Sequence, residues 1–331
     1  MNMKSTTKKI SPLKALAASA LAVSAALSLS ACGTASTSGG DASSATVRVA
    51  YLSTANYLTT LKNDNFAQKE LAPAQVKFTG PYVPQDSYTA VQSGNADAAS
   101  TGTGYFIDLV SQKSPWVAFA IEYYSGNSQG IVAAPGSGVK SLKDLYGKKI
   151  AIDRKGATGD YIVHQAFAHA GLDASKVTEV EMSATDFSAA FSSGKVDALA
   201  SFDQNLAAAE ATTGATILTT GDKYDSKNVS IHMVSKAFAT QHPDLVKKLY
   251  KALVDESNKA QKQPSVITDA YKEFGASNAV IAQVKHFSTP KIVPIDASGL
   301  KMLTEQAHQY VDFGFIKAVP DLKSATMDCT K

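Results

Sequence analysis

Apolar and polar positions alternate with a period of two over residues 46–52, which predicts a first β-strand. After a loop through Ser53 the spacing lengthens to that of a helix, running to about Leu71. Residues 75–78 predict a second strand, and Gly80, Pro81 and Pro84 mark a turn after it. A helix from Asp86 closes at Gly94, and a short third strand over residues 96–99 enters the polar turn Ser100-Thr101-Gly102-Thr103. A helix from Tyr105 to Gln112 follows, then a wholly apolar strand over residues 116–121 that delivers Glu122, Tyr123 and Tyr124 at its end. Strands that alternate with helices in this way predict βα units and mostly parallel sheets.

The most informative stretch is residues 148–171. Ile150-Ala151-Ile152 reads as a buried strand, Arg154 to Gly159 as a polar turn, and Ile162, Val163, Ala166, Phe167 and Ala170 as the apolar face of a helix ended by Gly171. A strand, a glycine-bearing turn and a helix start leave backbone N–H groups unpaired beyond the strand's end. The N–H groups of Ala157, Thr158 and Gly159, with the hydroxyls of Thr101, Thr103 and Thr158, are therefore a candidate anion cradle. Asp160 falls in the first helical turn and reads as a cap. Farther on, residues 130–134 and 229–234 predict strands that carry the chain to a second sheet and back. Residues 237–262 and 298–313 predict helices, and residues 289–294, with two prolines, an extended edge segment.

An internal repeat sharpens this outline. Residues 86–98 and 186–198 share the frame Asp-x-x-x-Ala-x-x-Ser-Gly-x-x-Asp-Ala. Each copy predicts a helix closed by glycine and a strand opened by Asp97 or Asp197, whose side chains are expected to anchor the strand starts. Two similar lobes are implied, and the second strand leads into Ser201, Phe202 and Asp203 as the first leads into Thr101. Ligands gather beyond the carboxyl ends of parallel strands, so both turns and the turn at Thr158 are expected to face one cleft.

Lys4, Lys8, Lys9 and Lys14 precede an Ala/Leu/Val/Ser run that extends to Ala31, a basic head and apolar middle that predict an export signal over residues 1–31. Four serines interrupt the run, which excludes a retained membrane span. Leu29-Ser30-Ala31-Cys32 resembles the lipobox of bacterial lipoproteins; the resemblance implies cleavage before Cys32 and acylation of its thiol. Residues 32–45 read as a flexible tether. Loss of the signal's four lysines takes the formal charge from +3 to −1, so no footprint for nucleic acid remains. The two cysteines, Cys32 and Cys329, cannot form a disulfide if the first is acylated, and Cys329 reads as an incidental thiol in a frayed tail.

Tyr51, the Ser100-Thr101-Gly102 turn, the Lys155-Gly156 turn, Ala200-Ser201-Phe202-Asp203 and Ile292-Val293-Pro294-Ile295 together resemble solute-binding proteins of ABC importers. The similarity is to the aliphatic sulfonate, taurine and nitrate branch, whose fold also serves thiamine-precursor binding. It departs from that branch at Phe202-Asp203-Gln204, where Trp-Asp-Pro is usual, and at Ala157-Thr158-Gly159-Asp160, where serines often stand. The resemblance implies an α/β, two-lobed periplasmic binding protein-like fold of type II, with lobe I over residues 46–130 and 232–331, lobe II over residues 131–231, and two crossover hinge strands. It implies an extracytoplasmic, lipid-anchored monomer without enzymatic activity or cofactor, which captures a small sulfonate- or taurine-like solute and delivers it to a membrane permease. A thiamine-pyrimidine precursor, nitrate or an aromatic compound are alternative ligands. An enzyme on this fold and a surface interaction protein with a vestigial cleft are alternatives of other classes.

The candidate ligand-binding residues are Tyr51, Ser53, Ser100, Thr101, Gly102, Thr103, Glu122, Tyr124, Ala157, Thr158, Gly159, Phe202, Asp203 and His232. Arg48 and Arg154 are the only arginines, which excludes a multi-arginine anion clamp. Glu122 and Asp203, at strand ends, suit the ammonium of a zwitterion as well as a capping role. Tyr51, Tyr105, Tyr123, Tyr124 and Phe202 suit an alkyl or aromatic ligand body. His164 and His169 are too far apart for one helix face, so no metal site is expected. Motifs of serine hydrolases, zinc proteases and P-loop enzymes are absent from the sequence.

Overall fold

The computed structural model describes residues 45–331; the expected export signal, Cys32 and the expected tether up to residue 44 lie outside the described residues. Strand β1 (Thr46–Leu52) leads through α1 (Tyr57–Thr60) and α2 (Phe66–Leu71) to β2 (Gln75–Tyr82). Then come α3 (Pro84–Gln92), β3 (Ala98–Gly102), α4 (Thr103–Ser111) and β4 (Trp116–Tyr123). The middle of the chain forms β5 (Gln129–Ala133), β6 (Lys149–Ile152), α5 (Thr158–His169), β7 (Thr178–Glu181), α6 (Phe187–Ser192), β8 (Ala198–Phe202), α7 (Asp203–Glu210) and β9 (Thr216–Thr220). After β10 (Ser230–Ser235) the chain is mostly helical: α8 (Lys236–Gln241), α9 (Pro243–Lys262), α10 (Ser265–Glu273), α11 (Asn278–Val284), β11 (Lys291–Val293) and α12 (Ala297–Asp312).

The strands form two sheets, in the orders β11-β4-β10-β3-β1-β2 and β7-β6-β8-β5-β9. Both run mostly parallel, as expected, with four strands of six in the first and four of five in the second sharing a direction; the antiparallel exceptions are what the sequence did not predict. In the first, β10 runs antiparallel to β3 and β4, and β11 runs antiparallel to β4. In the second, β5 runs antiparallel to β8 and β9. The reason is topological: each sheet receives, between its parallel strands, the strand that follows a crossing from the other sheet. The crossings themselves also differ from expectation. Strand β5 lies wholly in the second sheet and β10 wholly in the first, so residues 124–128 and 221–229, rather than strands, carry the chain across.

The period-two pattern places side chains as elementary pleating requires. Val47 and Val49 of β1 pack with Tyr57, Leu58, Leu249 and Leu253 on one face of the first sheet, whereas Ala50 joins Tyr88, Phe106 and Tyr310 on the other. In β6, Ile150 and Ile152 meet Ile162, Val163 and Phe167 of α5, and Ala151 faces Phe187, Phe191 and Leu206. Each sheet thus buries both faces under helices, which is why β4 and β6 read as continuous apolar runs.

The repeat is structural. Gly94 and Gly194 close α3 and α6 at φ +73° and +69°, a left-handed conformation that glycine adopts without steric cost. The carboxylate of Asp97 then accepts the Arg48 N–H at 2.8 Å while its own N–H donates to Arg48 O at 2.7 Å. Asp197 makes the same pair with Lys149, at 2.8 Å in both directions. Both aspartates pin the start of an inner strand to its parallel neighbour, as the sequence predicts. Two local readings are corrected. Strand β2 continues through Gly80, Pro81 and Tyr82 instead of turning there, with a slip of register opposite Ala50 and Leu52. The C-terminal tail is not frayed: Met327 N–H donates to Ala118 O at 2.9 Å, and Cys329 is buried against the α9 face of the first sheet. Among the described residues no helix is long and apolar enough to cross a membrane.

Candidate functional site

The carboxyl end of β3 delivers Ser100, Thr101 and Gly102, and that of β8 delivers Phe202 followed by Asp203. The first residue of α5, Thr158, comes in from the second sheet's helical layer. Tyr124 and Asn228 come from the two crossing segments. All of these side chains and Gly102 line one cavity of about 100 Å³. Thr101 and Thr158 therefore face the same space, and a Cβ at Gly102 would stand 3.0 Å from Thr158 Oγ1. A side chain at this position would press on the Thr158 hydroxyl. The Thr101 hydroxyl accepts a hydrogen bond from Tyr88 OH at 2.7 Å.

Asp203 carries the site's distinctive electrostatics. Its φ of +48° is unusual for a residue with a side chain, and such strain is found where the surrounding structure holds a group in place for use. Its N–H donates to Ser128 O at 2.7 Å, which fixes the bend. Burial, and then the nearby Glu122, push its carboxyl up to about 7. No lysine or arginine lines this cavity. Arg48 is paired with Asp97, its guanidinium nitrogen 2.6 Å from Asp97 Oδ1, and Arg154 lies over the Tyr105 ring at 4.7 Å.

Behind the cavity wall runs a buried polar chain. Glu122 and His232 are both fully buried, with His232 Nε2 3.0 Å from Glu122 Oε2. Glu122 also accepts the Tyr57 N–H at 2.8 Å and the Tyr124 hydroxyl at 3.0 Å. His232 Nδ1 lies 2.8 Å from Ser100 Oγ, which donates to Asn56 Oδ1 at 3.2 Å. Neither Glu122 nor His232 lines the cavity; they brace Ser100 and Tyr124, which do.

The other expected residues are placed as follows. Tyr51 is half-buried with the Lys62 ammonium 5.4 Å above its ring, and Ser53 is exposed; neither lines the cavity. Thr103 is fully buried, its hydroxyl donating to Val229 O at 2.8 Å. The cradle at α5 is largely occupied from within. Ala157 N–H donates to Arg154 O at 3.1 Å and Gly159 N–H to Asp153 Oδ1 at 2.8 Å, which leaves Thr158 N–H, of the three, with no protein acceptor among the described residues. Asp160 ties down the turn ahead of α5 instead of capping the helix's own N–H groups, its Oδ2 accepting the Gly156 N–H at 2.6 Å. Sequence reasoning missed Thr54, Asn56, Gln129, Asn228 and Ser230, all of which line the cavity. Asn56 had a signal, as the polar residue just before α1, whose N-terminus it caps. Asn228 had none, since its crossing segment shows no periodicity.

A second cavity, of about 330 Å³, adjoins the first. Tyr124 and Asp203 line both, and Ile267, Tyr271, Val284 and Phe287 give the second an apolar wall.

Two sheets whose strand tips converge on a buried polar cavity, with both chain crossings at its edge, define a periplasmic binding protein-like fold. The chain belongs to the family described as NMT1/THI5 like, which matches residues 55–266. It is 25% identical over 223 residues to the taurine-binding periplasmic protein of Escherichia coli (strain K12), an alignment that covers 66% of this chain and 68% of the relative. Among solved structures it is similar to the periplasmic aliphatic sulphonate binding protein SsuA from Escherichia coli, at a TM-score of 0.74 and 21% identity, covering 86% of this chain and 92% of that one. It is also similar to the alkanesulfonate-binding protein SsuA from Xanthomonas axonopodis pv. citri bound to MOPS, at a TM-score of 0.76 and 18% identity, covering 86% and 98%.

Proposed function

We propose that this protein is the extracytoplasmic solute-binding component of an ABC importer, and that it captures a small sulfonate- or taurine-like zwitterion between two lobes. The observation that carries this is the single cavity reached by Thr101 from one sheet, Thr158 from the other and Asp203 beside them. Hydroxyls and the Thr158 N–H suit an uncharged grip on a sulfonate, and the Asp203 carboxylate suits an ammonium. With no cationic side chain in the cavity, a ligand bearing its own positive charge is favoured over a plain anion such as nitrate. About 100 Å³ is also well below the roughly 300–1,000 Å³ of drug-sized sites, which fits a solute of few heavy atoms. Longer alkyl or aryl sulfonates would need Tyr124 and Asp203 to part and admit the ligand's body to the apolar cavity next to them.

Lobe I over residues 46–130 and 232–331 and lobe II over residues 131–231 are the bodies that close, turning about the two crossing segments. Catalysis on this fold is the reading of another class. It gains little support here: Cys329 is buried in the first lobe's core with its thiol pushed up to about 12, and His232 is fully buried behind the cavity wall. Acylation of Cys32 would keep the protein beside its permease. Detergent phase partitioning of exported protein tests the anchor, which Cys32→Ala should release into the aqueous phase.

The test of ligand class is isothermal titration with taurine, ethanesulfonate, longer alkanesulfonates and nitrate. Saturable binding of taurine, weakened at least tenfold in Asp203→Asn while ethanesulfonate binding is not, is the expected result. Binding of every sulfonate with no loss in Asp203→Asn would remove the zwitterion, and turnover of any ligand would remove the receptor.

A further inference from the structure

The cluster left unexplained by solute binding lies on the first two turns of α5, against β7. Asp160 and His164 stand one helical turn apart on that helix, and Glu179 reaches them from β7. One ligand atom of each falls within 4.8 Å of the others. His164 Nε2 is 3.2 Å from Asp160 Oδ1 and 3.8 Å from Glu179 Oε1. Bonds of about 2.0–2.2 Å to a tetrahedral cation place neighbouring ligand atoms about 3.4 Å apart, between those two separations.

We propose that Asp160, His164 and Glu179 form a binding site for a divalent transition-metal cation, distinct from the central cavity.

Asp160 is only 2% exposed, yet its Oδ1 has no hydrogen-bond donor, and Glu179 Oε1 is likewise buried without one. A buried carboxylate oxygen without a donor is costly, and the two oxygens face the same imidazole. A cation between them would satisfy all three groups at once. The surroundings already orient the set as metal ligands are oriented. The Gly156 N–H holds the other oxygen of Asp160 at 2.6 Å, and the His164 ring is packed by Phe313 and Phe315, with centroids 5.4 and 5.0 Å away. One imidazole and two carboxylates suit zinc, cobalt or manganese, and favour neither the soft copper(I) ion nor the all-oxygen shell of calcium. A cavity of about 420 Å³ opens onto the cluster, so a fourth position is free for water. Arg154 and Lys155 also line that cavity and their charges oppose a cation, which sets the expected affinity below that of a closed structural zinc site. All three ligands come from the second sheet and its helix, whereas Tyr310 and Phe313 to Ile316 wall the cavity from the other side.

The full-length protein, stripped with chelator, is titrated with Zn²⁺ by calorimetry and with Co²⁺ by visible absorption. One saturable equivalent is expected, with the intense visible bands of low-coordinate cobalt, and affinity at least tenfold weaker in His164→Gln and in Glu179→Gln. Asp203→Asn should bind the metal as the unaltered protein does. Because changes at α5 risk misfolding, a second readout uses the unaltered protein: Zn²⁺ should shift the ¹⁵N resonances of the His164 imidazole and leave those of the buried His232 in place. Absence of saturable binding, affinity in both variants equal to that of the unaltered protein, or an unmoved His164 would overturn the proposal.

Discussion

At the scale of single residues, Asp203 joins a left-handed backbone to a buried charge. Its carboxyl is held at about 7, against an ordinary 3.8. Between about pH 4 and 7 the folded protein keeps a proton that the unfolded chain has released, so stability falls as pH rises through that window and levels off above it. Asp203→Asn removes this dependence. The ligand-free variant should be more stable than the unaltered protein above pH 7, by on the order of 1–2 kcal/mol after allowance for its partial exposure. Urea midpoints measured across that pH range check this, and equal slopes for the two proteins would refute it. The pair Glu122 and His232 behaves differently, because both partners are fully buried. Glu122→Ala should cost about 3–5 kcal/mol, since it strands the imidazole, the Tyr57 N–H and the Tyr124 hydroxyl together. Its ligand affinity should suffer through Ser100 and Tyr124 rather than by direct contact. Sequence alone placed Thr101, Thr158, Tyr124 and Asp203 at strand and helix ends, where exposure to a cleft follows from geometry. It could not tell which acid at those ends stays open to the cavity and which turns inward, because that depends on β10 laying His232 between Ser100 and Glu122.

At the scale of elements, the hundred-residue echo gives matched experiments. Asp97 holds the Arg48 N–H and also its guanidinium, with Nε–H donating at 3.0 Å and a terminal nitrogen at 2.6 Å, whereas the Lys148 ammonium stands 3.5 Å from Asp197. Asp97→Ala should therefore cost more than Asp197→Ala, about 2–3 against about 1–2 kcal/mol, by denaturant melts of the two single variants. Gly104 makes a second element-level case. A Cβ there would overlap the hydroxyl end of Tyr310 on α12, so Gly104→Ala should lose about 1–3 kcal/mol or more, despite alanine's better helix propensity. What was legible at this scale was periodic and apolar: β1, β4, β6, α5 and the glycine-closed helices of the repeat. What was not legible was polar and marginal. Strand β7 (Thr-Glu-Val-Glu) and strand β9 are edge strands with no fully buried residue, and their polar residues carry no clean alternation. The cluster at Asp160 went unseen for the same reason. Its third member sits on β7, and histidine spacing along one helix cannot reveal a ligand brought in by a sheet.

At the scale of the whole molecule, the cavity lies where both crossings meet it, at Tyr124 and Asn228. A ligand gripped by Thr101 on one side and Thr158 on the other favours the closed arrangement only by as much as it binds that arrangement better. Saturating taurine should therefore reduce the radius of gyration measured by small-angle X-ray scattering. Tight binding with an unchanged radius would show that the two sheets do not swing about residues 124–128 and 221–229.

The placement of β10 and β11 has a consequence for how the polypeptide acquires its structure as it is made. The second sheet uses one unbroken stretch, from β5 to β9, and can consolidate as soon as that stretch is free. The first sheet cannot: its central strand β10 and its edge strand β11 come only after the whole of the second has passed, so β3 and β4 must wait unpaired toward each other. The sheet that starts first therefore finishes last, and its exposed strand edges are where a chaperone's protection would matter most.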